Sequence, residues 1–233
     1  MFGRESRESS SPMKRLITLP LLPQNPASNS IDFAGLFGGP LVSVPVRPLA
    51  PASTCYWAAT RVAEKWGGEV VCGYLVSILP GIMIEGVHHA IVRLTDGTLV
   101  DVTQYEQCAT DSVGFVPDGS ACPTLEKPPY LSNRWIVLGY EDLVAKVIEA
   151  HEAACIAQRR RADAAARLGH IFDPFAPPAA REIATSDPEL VVAALNERVA
   201  IRSFHRSIKA LTVAAYNDPE QAKARAVATN PGQ

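Results

Sequence analysis

With 233 residues, 47% of them hydrophobic and 20% charged, the chain has ordinary globular proportions, which exclude a wholly disordered polypeptide. Lys and Arg total 22 against 24 Asp and Glu, for a formal net charge of −2, so there is no basic surplus to hold a nucleic acid and none is expected as a partner. No apolar run approaches the ~20 residues needed to cross a bilayer, and the early stretch 16–22 is interrupted by Pro20, so neither a membrane span nor a secretory signal is expected and the cytoplasm is the expected compartment.

Residues 1–30 are rich in Ser and Pro and form no core of their own, which predicts a flexible arm. From 31 to 51 the chain is apolar but broken by Gly38-Gly39-Pro40, Pro45 and Pro48, a pattern that suits an extended wrap onto the core. A helix is predicted over 54–66. Ser53 or Thr54 can cap its first N–H groups, Gly67-Gly68 can end it, and Cys55, Ala59, Val62 and Trp66 form its core-facing stripe. Residues 69–79 read as a strand closed by Pro80-Gly81. The runs 87–94 and 99–103 flank Asp96-Gly97, a strong hairpin signal. Residues 105–130 read as loop with a short β piece at Phe115-Val116, and a strand is expected at 135–138.

After Gly139 the periodicity becomes helical. Leu143, Val144, Val147, Ile148, His151 and Cys155 share a face of a helix over 140–168, with acidic residues at its start and Arg159 to Arg161 and Arg167 toward its end, matching the macrodipole. Residues 172–178 interrupt it. Asp187-Pro188 then caps a helix carrying Leu190, Ala194, Ile201, Phe204, Ile208 and Leu211, and Asp218-Pro219 opens a possible last one before a tail from 227. The resulting division is an arm (1–30), an α+β core (31–139) and a helical C-terminal region (140–233) that packs on the core or contacts a protein partner.

Five cysteines, at 55, 72, 108, 122 and 155, are an odd number without close spacing, which fits reduced thiols better than a disulfide framework. Cys72, Cys108 and Cys122 lack the paired spacing of a zinc site, so no metal and no cofactor is expected. His151 and Cys155 lie one turn apart on an apolar face and read as packing residues. Cys55 differs from these. At the start of a helix it meets unpaired N–H groups and the positive end of the dipole, which favour a thiolate and can receive an oxyanion. Downstream, a histidine on one strand of the hairpin is followed by an aspartate on the next, the base and orienting group that a nucleophilic thiol requires.

The run His89-Ala90-Ile91-Val92, then Asp96-Gly97, then Leu99-Val100-Asp101-Val102-Thr103, resembles the histidine-hairpin-aspartate segment of transglutaminase-like proteins and arylamine N-acetyltransferases. Cys55-Tyr56-Trp57-Ala58 is loosely similar to the start of the papain-type catalytic helix. The resemblance spans about residues 50–120 and implies a papain/transglutaminase-like α+β core, with the cysteine helix packed on an antiparallel sheet and with Cys55, His89 and Asp101 as the catalytic residues. No glutamine stands a few residues before Cys55, which leaves the second oxyanion donor unassigned, and the twelve positions from His89 to Asp101 are fewer than the family commonly shows.

Register decides which histidine acts. A two-residue loop at Asp96-Gly97 pairs Val92 with Asp101 and favours His88, whereas a three-residue loop with a bulge pairs Arg93 with Asp101 and favours His89. The family pattern selects His89. The expected activity is a thiol-dependent hydrolase that cleaves an amide or peptide bond of a protein, peptide or other amide substrate through an acyl-enzyme. The alternatives are an acyltransferase of the transglutaminase type on the same triad and a catalytically inactive binding module of this fold.

Overall fold

The computed structural model describes residues 35, 37–49, 55–79, 81–103, 111–119, 131–170 and 187–218. Its architecture is α+β. In chain order the elements are β1 (Val42–Pro45), α1 (Cys55–Trp66), β2 (Glu69–Leu79), β3 (Met83–Arg93), β4 (Leu99–Val100), β5 (Ser112–Pro117), β6 (Arg134–Val137), α2 (Glu141–Arg167) and α3 (Pro188–Asn217). The expected arm at 1–30, the caps at 53 and 54, the interruption at 172–178, the last helix from 219 and the tail from 227 lie outside the described residues, as do Cys108 and Cys122.

The strands form one sheet in the order β1-β5-β2-β3-β4, with β6 on the other stretch of β3, where Met83 to Gly86 pair with Val137 to Arg134. Every neighbouring pair in that order is antiparallel. Five strands alternating in direction leave the first and last running the same way, so a ladder joining them has to be parallel. Such a link is present: Val46 and Asp101 form a parallel bridge, in which Asp101 N–H donates to Pro45 O at 2.9 Å and Arg47 N–H donates to Asp101 O at 2.7 Å. The sheet thus curls into a small ring with an inner and an outer face.

Side-chain alternation along β2 and β3 then sorts the core. Odd-numbered residues point inward, where Ile91 packs with Val44, Val113 and Phe115, supported by Val71, Leu75 and Leu99. Even-numbered residues point outward beneath α1, where Cys72, Ala90, Val92 and Val100 meet Tyr56, Trp57, Ala59 and Val62. The helical region covers the far end of the β2–β3 hairpin, with Val144, Val147, Leu211 and Ala215 against Ile82 and Met83. Beyond the sheet, among the described residues, α2 and α3 pack on each other through Ala164, Ala165 and Leu190 and an Arg161 Nη1 to Glu197 Oε2 ion pair of 2.8 Å. At the start of α3 the Asp187 carboxylate accepts from Leu190 N–H at 3.0 Å and Pro188 occupies the first turn, the cap the sequence predicts.

Two expectations change. The stretch read as an extended wrap contains β1, a sheet strand paired along its length with β5. The expected stripe of α1 includes Trp66, yet that side chain is 53% exposed while Tyr56, Trp57 and Ala58 are buried. The cause is the short connection to β2, which starts at the end of the ladder with Glu69 opposite Arg93, so the last turn of α1 overhangs the sheet.

Candidate active site

The hairpin loop settles which histidine faces Asp101. Leu94 N–H donates to Thr98 O and Gly97 N–H to Leu94 O, both at 2.9 Å, which makes a three-residue loop over 95–97. Gly97 has φ of 85°, the left-handed conformation that such a loop demands at its third position. Arg93 then pairs with Leu99 and Val92 with Val100, a register different from both that the sequence suggested. Continuing the ladder puts Ile91 opposite Asp101, and His89, two residues on, has the same parity and points to the same inner side.

His89 Nε2 and Asp101 Oδ2 are 2.9 Å apart, with His89 5% exposed and Asp101 fully buried. Asp101 has little freedom. Its N–H and C=O both bond to the β1 segment, and its second carboxylate oxygen, Oδ1, accepts from Thr103 N–H at 2.9 Å. The Cys55 thiol, half-buried at the first residue of α1 and free of any disulfide, lies near enough to the His89 imidazole for its charge to act on the ring. The structure thus has Asp101 bonded to His89 and Cys55 close enough to influence the same ring.

The protonation of His89 follows from those neighbours. Burial is the largest influence and lowers its pKa, but the charges of Cys55 and Asp101 and the hydrogen bonds to both outweigh it and raise the value from 6.5 to about 10. The ring is thus held as imidazolium at neutral pH, the state that pairs with a thiolate.

His88 has a different place. On the outer face it stacks on Tyr56 with centroids 5.7 Å apart, meets Tyr74 edge-on at 5.3 Å, and shares a hydrogen bond between Nδ1 and the Tyr56 hydroxyl. Tyr56 follows Cys55 directly, so the second histidine ties the first turn of α1 to β3. Other neighbours escaped the sequence reading. Phe115 packs edge-on against His89 with centroids 6.4 Å apart, and its ring fills the space that a side chain at residue 73 would need. Gly73 stands opposite His89 in the ladder, and a Cβ there would lie 2.6 Å from the Phe115 ring and 2.2 Å from Val116 O. A glycine inside a strand is itself the signal of such a close approach. Thr103 presents a buried hydroxyl that has no hydrogen-bond partner among the described residues, two positions from Asp101.

A second cysteine–histidine contact offers a comparison. Cys155 Sγ is 3.8 Å from both Nδ1 and Nε2 of His151, so the sulfur lies over the ring and not along the in-plane direction of either nitrogen. His151 is sandwiched edge-on by Trp135 and Phe204 at 5.4 and 5.2 Å. Burial leads the shifts here, lowering the histidine and raising the cysteine, with Glu152 and Arg159 as smaller influences, so both stay neutral. The two pairs share residue types and differ in their surroundings, since only His89 has a buried carboxylate behind it. Among the described residues there is no cluster of three or more potential metal ligands, and no helix is long and apolar enough to cross a membrane. Comparison of the chain with family models, with curated proteins and with solved structures returns no match.

Proposed function

We propose that the chain is a thiol-dependent hydrolase of an amide or peptide bond, with Cys55 as nucleophile, His89 as the proton carrier and Asp101 as its orienting group, on a core of the papain/transglutaminase-like kind. The observation that carries this reading is the environment of His89, which is buried, bonded at Nε2 to a fixed carboxylate, and influenced by the charge of a thiol at a helix start. In the resting site the imidazole is protonated, and the sulfur attacks as its thiolate. The thiolate attacks the substrate carbonyl carbon, and the oxyanion so formed is received by the unpaired N–H groups of the first turn of α1. Collapse breaks the C–N bond, with the His89 proton going to the departing amine and a thioester left on Cys55. Water, giving its proton to His89, then attacks the thioester, releases the carboxylate and restores the pair. An amine in place of water makes the same site a transferase. Such a thiol suits a reducing compartment, which agrees with the cytoplasmic expectation.

The test is the pH dependence of iodoacetamide alkylation at Cys55, read by peptide mass spectrometry with Cys155 as an internal reference. Cys55 reacts well below ~8.5, the ordinary thiol pKa, and loses that reactivity in His89→Ala, whereas His88→Ala keeps the pH profile. Equally slow alkylation of both cysteines across that range overturns the proposal.

A further inference from the structure

Where α2 and α3 meet the far end of the β2–β3 hairpin they enclose a cavity of about 150 Å³, walled by Leu79, Met83, Trp135, Phe204, Ile208 and Leu211. Cavities of about this size with aliphatic and aromatic walls take up a benzene-sized molecule. This one is not wholly apolar, because Glu85 also lines it. Glu85 and Trp135 are directly opposite in the β3–β6 ladder, so their side chains leave the sheet together on one face. One Glu85 oxygen, Oε1, accepts from Asn133 Nδ2 at 2.7 Å, which orients the carboxyl. The Trp135 indole N–H is buried and has no hydrogen-bond partner among the described residues. Buried indole N–H groups are normally satisfied, so an unpartnered donor and an oriented acceptor on paired residues that both line an otherwise apolar chamber suit an amphiphilic guest.

We propose that this cavity is a binding site for a small apolar molecule carrying a single hydroxyl group, of the size of a phenol or a cyclic alcohol. The hydrocarbon part lies against Leu79, Met83, Phe204, Ile208 and Leu211. The hydroxyl oxygen accepts from Trp135 Nε1, and its hydrogen is donated to the Glu85 carboxyl. A hydroxyl satisfies both groups at once, whereas an aromatic hydrocarbon satisfies neither. The site shares no residue with the thiol site and stands or falls independently of it. His205 and Thr212 line the α3 side of the cavity, with His205 exposed.

The experiment is a titration of the full chain with phenol, cyclohexanol and toluene, followed by calorimetry and by the tryptophan indole N–H resonances. Phenol and cyclohexanol bind saturably at one site, and toluene binds about tenfold more weakly for want of the hydrogen bonds. Of Trp57, Trp66 and Trp135, only the Trp135 N–H resonance moves downfield on adding phenol, an observation that needs no variant. Trp135→Phe reduces phenol affinity to the level of toluene, and Ile208→Trp, which fills the chamber from a half-buried position, abolishes binding of all three while circular dichroism stays unchanged. Absence of saturable binding to the wild type, a toluene affinity equal to that of phenol, or an unmoved Trp135 resonance overturns the proposal.

Discussion

Replacing Asp101 by Asn preserves shape and leaves an oxygen acceptor for His89 Nε2, but deletes one of the two charges that keep the imidazole protonated. The rise from 6.5 to about 10 amounts to about 5 kcal/mol in favour of the imidazolium, at about 1.4 kcal/mol per unit. That figure is net of burial, the largest single influence and an opposing one, so the contributions of Asp101 and Cys55 together exceed it. With Asp101 neutral, Cys55 alone opposes the burial penalty, and the histidine is expected to fall by at least about 2 units, or about 3 kcal/mol, into the neutral range. The ring C–H resonances of His89, assigned with His89→Asn, report this directly. In the wild type they hold the charged-ring position through neutral pH, and in Asp101→Asn they titrate there. Stability follows the same linkage. A folded pKa above the unfolded value gives stabilisation that is fully present below about 6.5 and is lost as pH rises toward 10, and in Asp101→Asn that loss shrinks. A wild-type His89 that titrates near 6.5, or identical curves in the two proteins, refutes the reasoning.

Glu85 gives a pH effect at the other end of β3. Burial raises its pKa from 4.5 to about 7, against the smaller opposing effect of the Asn133 hydrogen bond. The folded state therefore holds a proton that the unfolded state releases, and stability declines between about 4.5 and 7, by up to about 3 kcal/mol. Glu85→Gln is expected to match the wild type near pH 5 and exceed its melting temperature at pH 8. Gly73→Ala is expected to cost about 2–3 kcal/mol in chemical denaturation, because the obstacle 2.2 Å away is the Val116 carbonyl and cannot rotate aside; the displaced Phe115 ring should also shift the His89 resonances. Tyr56→Phe removes the hydroxyl bonded to His88 Nδ1 and is expected to cost about 1–2 kcal/mol in stability, with the pH profile of Cys55 alkylation kept, as in His88→Ala. An unchanged denaturation midpoint in either variant contradicts the packing described for it.

Features set by neighbours in sequence were readable in it. The Asp187-Pro188 cap, the Gly67-Gly68 stop and the Asp96-Gly97 loop are each dictated by two or three residues. So is the presence of a thiol at a helix start ahead of a histidine and an aspartate on paired strands. What depends on pairings between distant segments was not readable. Val42–Pro45 looked unsuited to a strand because Pro45 cannot donate to a ladder, yet Pro45 ends β1, where its carbonyl is the group used, accepting from Asp101 N–H. The register of the hairpin escaped because it rests on the backbone angle of Gly97, which only the folded loop reveals. Gly73 inside a strand is the trace of a close approach, but that the ring lying across it is Phe115, forty-two positions away, shows only in the fold.

The parity of the strands bears on when the site exists at all. An odd count of alternating strands makes the seam between first and last the one junction that no hairpin can supply, and Asp101 is the residue that closes it. Its backbone is consequently fixed on both sides only after segments fifty-five residues apart, at 46 and 101, have found each other. If the proposed function holds, the orienting carboxylate of the site takes its final place only once that seam is closed.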